Sequence, residues 1–351
     1  MFELIKRFSE LTGPTAEEEP VLSAADQIWR NAGLATERSA VGNLIGRVGS
    51  GGRRVLLVAH ADELCYLVRS IDSHGYLWLA NGQAWSRTLN SRDWFTVGQR
   101  VRVLARSGEL PGVIASVTGH VASLRLPEPR EMTWDDLWVD TGLTRVELLA
   151  LGVTPGTRVI WDATCERIGA QFMGKALDDR GGVAVLCEVV QRVASAQLNC
   201  SLTVACSVQE EIGVAGADAL GAREQWDAAI VVESGLAGDV PRVGELALPI
   251  RLGGGPILVH KDSLVHYHHG LTAELEHLAG TIGMPLQHAV FGSFGSDGSA
   301  LMKSGTPAAL LAFPTRYTHT PFEMGNMRDI EGMVHLLVAF VTGVPDEKVT
   351  A

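Results

Sequence analysis

The chain has 351 residues, 46% of them hydrophobic and 20% charged, with a formal net charge of −11. That length supports one large core or two domains, because single hydrophobic cores stop growing at roughly 250–300 residues, and the composition excludes global disorder. A balance of 29 Lys and Arg against 40 Asp and Glu argues against nucleic acid or an anionic membrane as the main partner, since both call for clustered cations.

In chain order, the opening segment MFELIKRFSELTGP is amphipathic and too polar for a secretory h-region. No apolar run reaches the ~18 residues of a membrane span. The run VLLVA at Val55–Ala59 reads as a buried strand. From about 68 to 162 the pattern changes to short alternating strands such as Tyr76–Ala80 and Arg100–Ala105. Turn signals stand at Ser73-His74-Gly75 and Ser107-Gly108, and little helix is expected outside Arg145–Leu151. This stretch is predicted to be a small β-rich domain inserted into an α/β domain made of residues 1–67 and 163–351.

Beyond it, Val183, Leu186, Cys187, Val190 and Ala194 form one helical stripe. The runs Leu202–Val208, Ala228–Val232 and Ala308–Phe313 read as further buried strands. Ile330, Met333, Val334, Leu337 and Val341 mark a last helix, with Asp329 as its expected N-cap. Strands alternating with helices predict a mainly parallel sheet covered by helices on both faces. The five cysteines (Cys65, Cys165, Cys187, Cys200 and Cys206) form no CxxC pair and sit largely in apolar runs. A reducing cytoplasm is the expected compartment.

Each buried strand runs into residues that carry chemistry. VLLVA leads to His60-Ala61-Asp62-Glu63, LTVACSV to Gln209-Glu210-Glu211, AAIVV to Glu233-Ser234-Gly235, and AALLAF to Pro314-Thr315-Arg316-Tyr317-Thr318-His319. The C-terminal ends of parallel strands line the ligand crevice of open α/β sheets. Asp178 and Asp179, just before the Val183 helix, add acid to the set, although that pair alone reads more readily as a helix cap. His60-Ala61-Asp62 alone is a weak signal and reads more readily as a satisfied structural histidine. Gathered together, such anions need a cation to offset their desolvation. Mixed His and carboxylate donors suit Zn, Mn or Co better than Ca. Five ligands with one bridging carboxylate can hold two divalent ions about 3.5–4 Å apart, leaving one carboxylate free as a general base.

Several segments, in this order, resemble the tetrahedral (TET) aminopeptidases of metallopeptidase family 42: Leu11-Thr12-Gly13-Pro14, Gly42-Asn43-Leu44-Ile45, AHADE, GKALDDRGG, VQEEIGVAGA, ESGLAGDVP, GSDGSA and PTRYTHTP. That family includes glutamyl, leucyl and deblocking aminopeptidases. The resemblance implies that His60, Asp178 and Glu233 hold one metal ion, and that Asp178 as bridge, Glu211 and His319 hold the other. It implies Glu210 as the general base toward a water shared by the metals, with Asp62 orienting His60. Glu233 stands where the family usually has Asp, one methylene shorter. The resemblance further implies a PDZ-like fold for the insert, a role for it in assembly, and dimers building a hollow dodecamer that admits short peptides.

Asp297 in GSDGS and Tyr317 are candidate substrate contacts, each with a plain alternative as a turn or packing residue. Lys175 and Arg180 are expected as counter-charges for the acidic segment. His260, His266, His268 and His269 are expected on a surface or subunit contact rather than as a third metal site. The predicted activity is release of N-terminal residues from short peptides. The alternatives are a related amide hydrolase, deacylase or carboxypeptidase-like, and an inactive scaffold on the same fold.

Overall fold

The computed structural model describes residues 1–82, 89, 95–122 and 132–343. These fall into two units, one of Met1–Glu63, Cys165–Thr318 and the chain from Glu323, the other of Leu64–Thr164 with His319–Phe322.

The first unit is built on an eight-stranded sheet. Its order is Ala35–Arg38, Leu44–Val48, Cys200–Ser207, Arg53–His60, Ala228–Leu236, Ala308–Thr315, Ile257–Lys261 and Gln287–Val290. The four central strands, Cys200–Ser207 through Ala308–Thr315, are mutually parallel. Leu44–Val48 is antiparallel to both its neighbours, and Ile257–Lys261 is antiparallel to Ala308–Thr315. The sheet is therefore mixed, with a parallel centre inside antiparallel flanks.

Successive side chains on a strand point to opposite faces, and here both faces are buried. Val55, Leu57, Ala59, Val204, Cys206, Ile230 and Val232 join one core with the helices Leu177–Val193 and Met327–Thr342. Leu56, Val58, Ala205, Ala229 and Val231 join a second core with Leu220 of Ala215–Arg223 and Leu301 of Gly298–Lys303. Two-sided burial is why these strands read as unbroken apolar runs, each Val or Leu contributing about 1.5–3 kcal/mol. All five cysteines are free and buried in the described structure. Among the described residues no helix is long and apolar enough to cross a membrane.

The second unit is a closed barrel of six antiparallel strands: Tyr66–Ile71, Leu77–Asn81, Trp138–Asp140, Gly108–Ala115, Arg100–Ala105 and Arg158–Trp161, which pairs back onto Tyr66–Ile71. Among the described residues the strands close into a barrel, where the resemblance implied a PDZ-like fold. Inward-facing Val68, Leu77, Leu79, Val101, Val103, Ile114, Val139 and Val159 fill it. Gly75 in the expected turn is required: its φ is +98°, and a Cβ there would lie 2.2 Å from the Leu143 carbonyl oxygen. The helix Arg145–Ala150 begins with a capping box between Thr144 and Glu147.

The last helix, Met327–Thr342, is capped not by Asp329 but by Asn326, whose side chain accepts the Arg328 N–H at 2.9 Å. Asp329 lies one turn in, fully buried, and accepts the N–H groups of Gly253 and Gly255 at 2.7 Å each. It ties a glycine-rich loop to the helix start. Asp329→Ala leaves two buried donors unmet and is expected to cost about 2–4 kcal/mol, measured by denaturant unfolding. Burial pushes the Asp329 carboxyl up to about 6, with the two N–H groups only partly opposing it. The native state then holds a proton that the unfolded chain, near ~3.9, has released. Stability from this group accordingly falls as pH rises from about 4 to about 6. Asp329→Asn is expected to flatten that slope.

Candidate metal centre

His60 closes its strand, Glu233 lies within Ala228–Leu236, and Glu210 and Glu211 follow the Cys200–Ser207 strand after Val208 and Gln209. Ser207 is the register partner of His60 and Glu233 that of Ala312, so neighbouring parallel strands deliver these residues to one edge of the sheet. The acidic pair comes from the start of Leu177–Val193. Asp178 (φ −79°, ψ 105°) and Asp179 (φ −115°, ψ 40°) are non-helical there, which turns both carboxylates off the helix axis. A small antiparallel sheet of Glu166–Ile168, Gln171–Gly174 and Glu323–Asn326 brings in Glu323, which accepts the Asp178 N–H at 3.0 Å.

His60 Nε2 stands 3.0 Å from Asp178 Oδ1 and 3.5 Å from Glu233 Oε1, while its Nδ1 lies 3.3 Å from Asp62 Oδ1. Ligand-type atoms of His60, Asp178 and Glu211 lie within 4.8 Å of one another, and so do those of His60, Asp179 and Glu233. Four sequence-predicted residues, His60, Asp178, Glu211 and Glu233, are thus brought together, and Asp179 joins them. His319, at φ +67°, lies on the short segment grouped with the barrel unit.

The electrostatics follow from crowding. Burial drives Asp179, Glu210 and Glu211 well above the ordinary carboxylate range and pushes Glu233 up to about 8. Burial opposes charging of His60, yet Glu233, Asp178 and Asp62 outweigh it and hold the imidazole well above its usual value. Burial likewise opposes ionisation of Asp62. Its contact with His60, the Glu210 N–H and the Thr15 hydroxyl wins, leaving it below the ordinary range. Asp179 Oδ2 is buried with no hydrogen-bond partner. Several carboxylates around one imidazole, one of them with an orphaned oxygen, make a donor set that divalent cations fit.

The other residues singled out in the sequence are placed as follows. Lys175 and Arg180 both meet Glu63: Lys175 Nζ lies 2.6 Å from Glu63 Oε2 and Arg180 Nη2 lies 3.4 Å from Glu63 Oε1, all three buried. Arg180 Nη2 also donates to the Gly13 carbonyl at 2.8 Å. Asp297 is buried, accepts the Ser207 hydroxyl and is pushed up to about 6 by burial. It therefore meets the end of a central strand. Tyr317 is exposed on a left-handed turn at φ +62°. Of the histidine cluster, His268 caps the helix His269–Thr281 by accepting the Leu271 N–H, and His260 pairs with His288 at 2.9 Å. Among the described residues, that cluster forms no three-donor group.

Sequence reasoning did not single out Asp179 as a ligand, because the acidic pair also reads as a cap. Both readings hold: Oδ1 accepts the Gly182 N–H at 3.0 Å, while the carboxylate joins the metal-type group. Glu323 carried no sequence signal, since only the small sheet brings it near Asp178.

A parallel-centred α/β core with a His and carboxylate cradle at its strand ends belongs to the metal-dependent hydrolases. Residues 42–336 match the M42 glutamyl aminopeptidase family, and the chain belongs to it. It is a metal-dependent aminopeptidase. It is 29% identical over 355 residues to FrvX of Escherichia coli (strain K12), an inferred aminopeptidase, covering 99% of this chain and 97% of that protein. A TET aminopeptidase from a marine sediment archaeon of the Thaumarchaeota superposes with a TM-score of 0.90 at 27% identity, over 98% of this chain and 96% of that one. The TET1 peptidase of Pyrococcus horikoshii, which can assemble into a tetrahedron or a large octahedral shell, superposes with a TM-score of 0.85 at 26% identity, over 97% and 99%.

A Cβ at Gly182 would lie 2.3 Å from Asp179 Oδ2 and 2.4 Å from Oδ1. Gly182→Ala must therefore displace that carboxylate. The expected result is about 10- to 100-fold weaker metal affinity, read by titrating metal-stripped protein with Zn or Co. Unchanged affinity would remove Asp179 from the centre.

Proposed function

We propose that this chain removes N-terminal residues from short peptides with two divalent ions, Zn, Co or Mn, held at the His60 edge of the sheet. The observation that carries the reading is the convergence of His60, Asp178, Asp179, Glu211 and Glu233 with Glu210 next to them in the chain. His60, Asp178 and Glu233 would hold one ion, with Asp179 close by. Asp178 and Glu211 would hold the other, with His319 as the further ligand that its place in the family pattern suggests. Bound there, the ions would supply Lewis acidity that polarises the scissile carbonyl and makes water a competent nucleophile at neutral pH.

The protein's own residues do the rest. Asp62, facing His60 Nδ1, fixes the imidazole's tautomer and orientation. Glu210, whose proton affinity burial raises, takes a proton at its carboxylate from the attacking water and hands it to the leaving amine as the C–N bond breaks. Glu233 performs the ligand role that an aspartate performs in most of the family, and its Oε1 is steadied by the Ser234 N–H at 2.8 Å. The barrel unit serves assembly in this reading, and the chain forms a hollow dodecamer that limits access to short peptides. Light scattering is expected to report a mass near twelve chains of 37.5 kDa; a monomer mass would reject the assembly.

Glu210→Gln is expected to keep its metal content while kcat falls about 10²- to 10⁴-fold. Turnover equal to the parent enzyme would reject Glu210 as the base. A panel of short peptides with free and blocked N-termini checks the reaction itself. Release of amino acids only from free N-termini is the expected result, and preference for blocked ones would favour a deacylase.

A further inference from the structure

The loop that carries Glu210 and Glu211 is held by its backbone. Four consecutive N–H groups each meet a side-chain oxygen: Val208 donates to Asn43 Oδ1 at 3.1 Å, Gln209 to Glu18 Oε1 at 3.1 Å, Glu210 to Asp62 Oδ1 at 3.0 Å and Glu211 to Asp62 Oδ2 at 3.3 Å. Asn43 also closes the loop from its far side, donating from Nδ2 to the Gly216 carbonyl at 2.8 Å, while the Gly216 N–H returns to the Val208 carbonyl at 2.9 Å. Gly216 has no room for a side chain, since a Cβ would fall 2.5 Å from Asn43 Oδ1.

Asn43 and Glu18 are both buried. Neither belongs to the metal-type groups, and each comes from a different element. Glu18 precedes the helix Glu19–Asn31, where its Oε1 also accepts the Ala16 N–H at 2.8 Å. Asn43 precedes the strand Leu44–Val48. Gln209 and Val214 are left-handed at φ +55° and +54°, a conformation that non-glycine residues keep only when their surroundings over-determine it. The side-chain acceptors supply that constraint.

We propose that Asn43 and Glu18 are positioning residues for Glu210 and Glu211, acting through the backbone of residues 208–216. This rests on the roles assigned to Glu210 and Glu211 above. It gives a use to the Gly42-Asn43-Leu44-Ile45 segment, whose part in the chemistry is not evident from its own residue types. With the backbone fixed at four successive donors, each of the two glutamate side chains leaves the loop from a set position. One can then ligate while its neighbour shuttles a proton. Purely structural residues would alter melting temperature and leave turnover per folded molecule alone. Positioning residues alter kcat more than KM.

The test uses the full-length, assembled, metal-loaded enzyme and three variants: Asn43→Ala, Glu18→Ala and Glu18→Gln. Asn43→Ala and Glu18→Ala are expected to lower kcat about 10- to 100-fold with KM changed by no more than about twofold. Glu18→Gln, which keeps an oxygen acceptor for the Gln209 N–H, is expected to restore most of kcat. Hydrogen exchange in residues 208–216 is expected to quicken in both alanine variants and stay at the parent rate in Glu18→Gln. Titration of metal-stripped Asn43→Ala with Co is expected to show weaker binding, because Glu211 loses its fixed backbone. Folded alanine variants with the parent's kcat and exchange rates would overturn the proposal. If Asn43→Ala does not fold, the Glu18 pair decides on the same criteria. If the parent enzyme releases no amino acid, the functional reading fails. The exchange data then still decide the pinning, which rapid exchange at Val208–Glu211 in the parent would overturn.

Discussion

Asp62 is surrounded by groups that need it. Its two oxygens receive the N–H groups of Glu210 and Glu211 and the Thr15 hydroxyl, and one of them faces His60 Nδ1. A carboxylate with no exposure to water is tolerable only when its lone pairs are met by donors, and here every donor belongs to a segment of the site. The residues after the His60 strand, the Glu210 loop and the turn at Thr15 therefore share this side chain as an anchor, beside the backbone bonds of Ala61 to Ser207 and of Thr15 to Glu63. Remove its charge and three backbone segments lose a common anchor. His60 of the metal-type groups, the Glu210 loop and the N-terminal turn all meet this one buried anion.

Behind that anchor stands a second layer of charge. Glu63 follows Asp62 in the chain and accepts both Lys175 and Arg180, while the two cations also donate to the carbonyls of Leu11, Gly13 and Phe8. Breaking such a buried arrangement by removing one partner is far more damaging than its net worth suggests, because an uncompensated charge remains. In sequence the cluster reaches both acidic stretches: Glu63 lies three residues after His60, and Lys175 and Arg180 stand on either side of Asp178 and Asp179. It welds the segment at residues 8–13 to both, which accounts for a Leu11-Thr12-Gly13-Pro14 motif with no chemistry of its own. The two cations thus bind one carboxylate of the acidic segment together with backbone carbonyls of residues 8–13.

Much of the architecture was legible in the residues. The four central strands announced themselves because both faces are buried, which leaves unbroken runs such as VLLVA and AAIVV. The last helix was visible from its stripe, although its cap was not: Asp329 and Asn326 are both acceptable caps in isolation, and only the glycine loop at residues 253–255 gave Asp329 other work. The flanking strands Leu44–Val48 and Gln287–Val290 were silent, being short and partly exposed. The insert was legible as β-rich from its alternation, yet whether its strands close on themselves depends on the pairing of Arg158–Trp161 with Tyr66–Ile71, some 90 residues apart.

At the site the same division holds. Residue types and their order along the chain were enough to gather His60, Glu210, Glu211 and Glu233 near the ends of buried strands and the Asp178-Asp179 pair at a helix start, while the individual roles came from the resemblance to the family. What those residues cannot specify alone is which side chain meets which. The pairing of Lys175 and Arg180 with Glu63, the dual use of Asp179, the Glu323 acceptor behind Asp178 and the four acceptors along residues 208–211 are all contacts between segments remote in sequence. Local pattern encodes burial and periodicity, which are properties of one element. Hydrogen-bond partners are chosen by where different elements come to rest, and that only the folded chain decides.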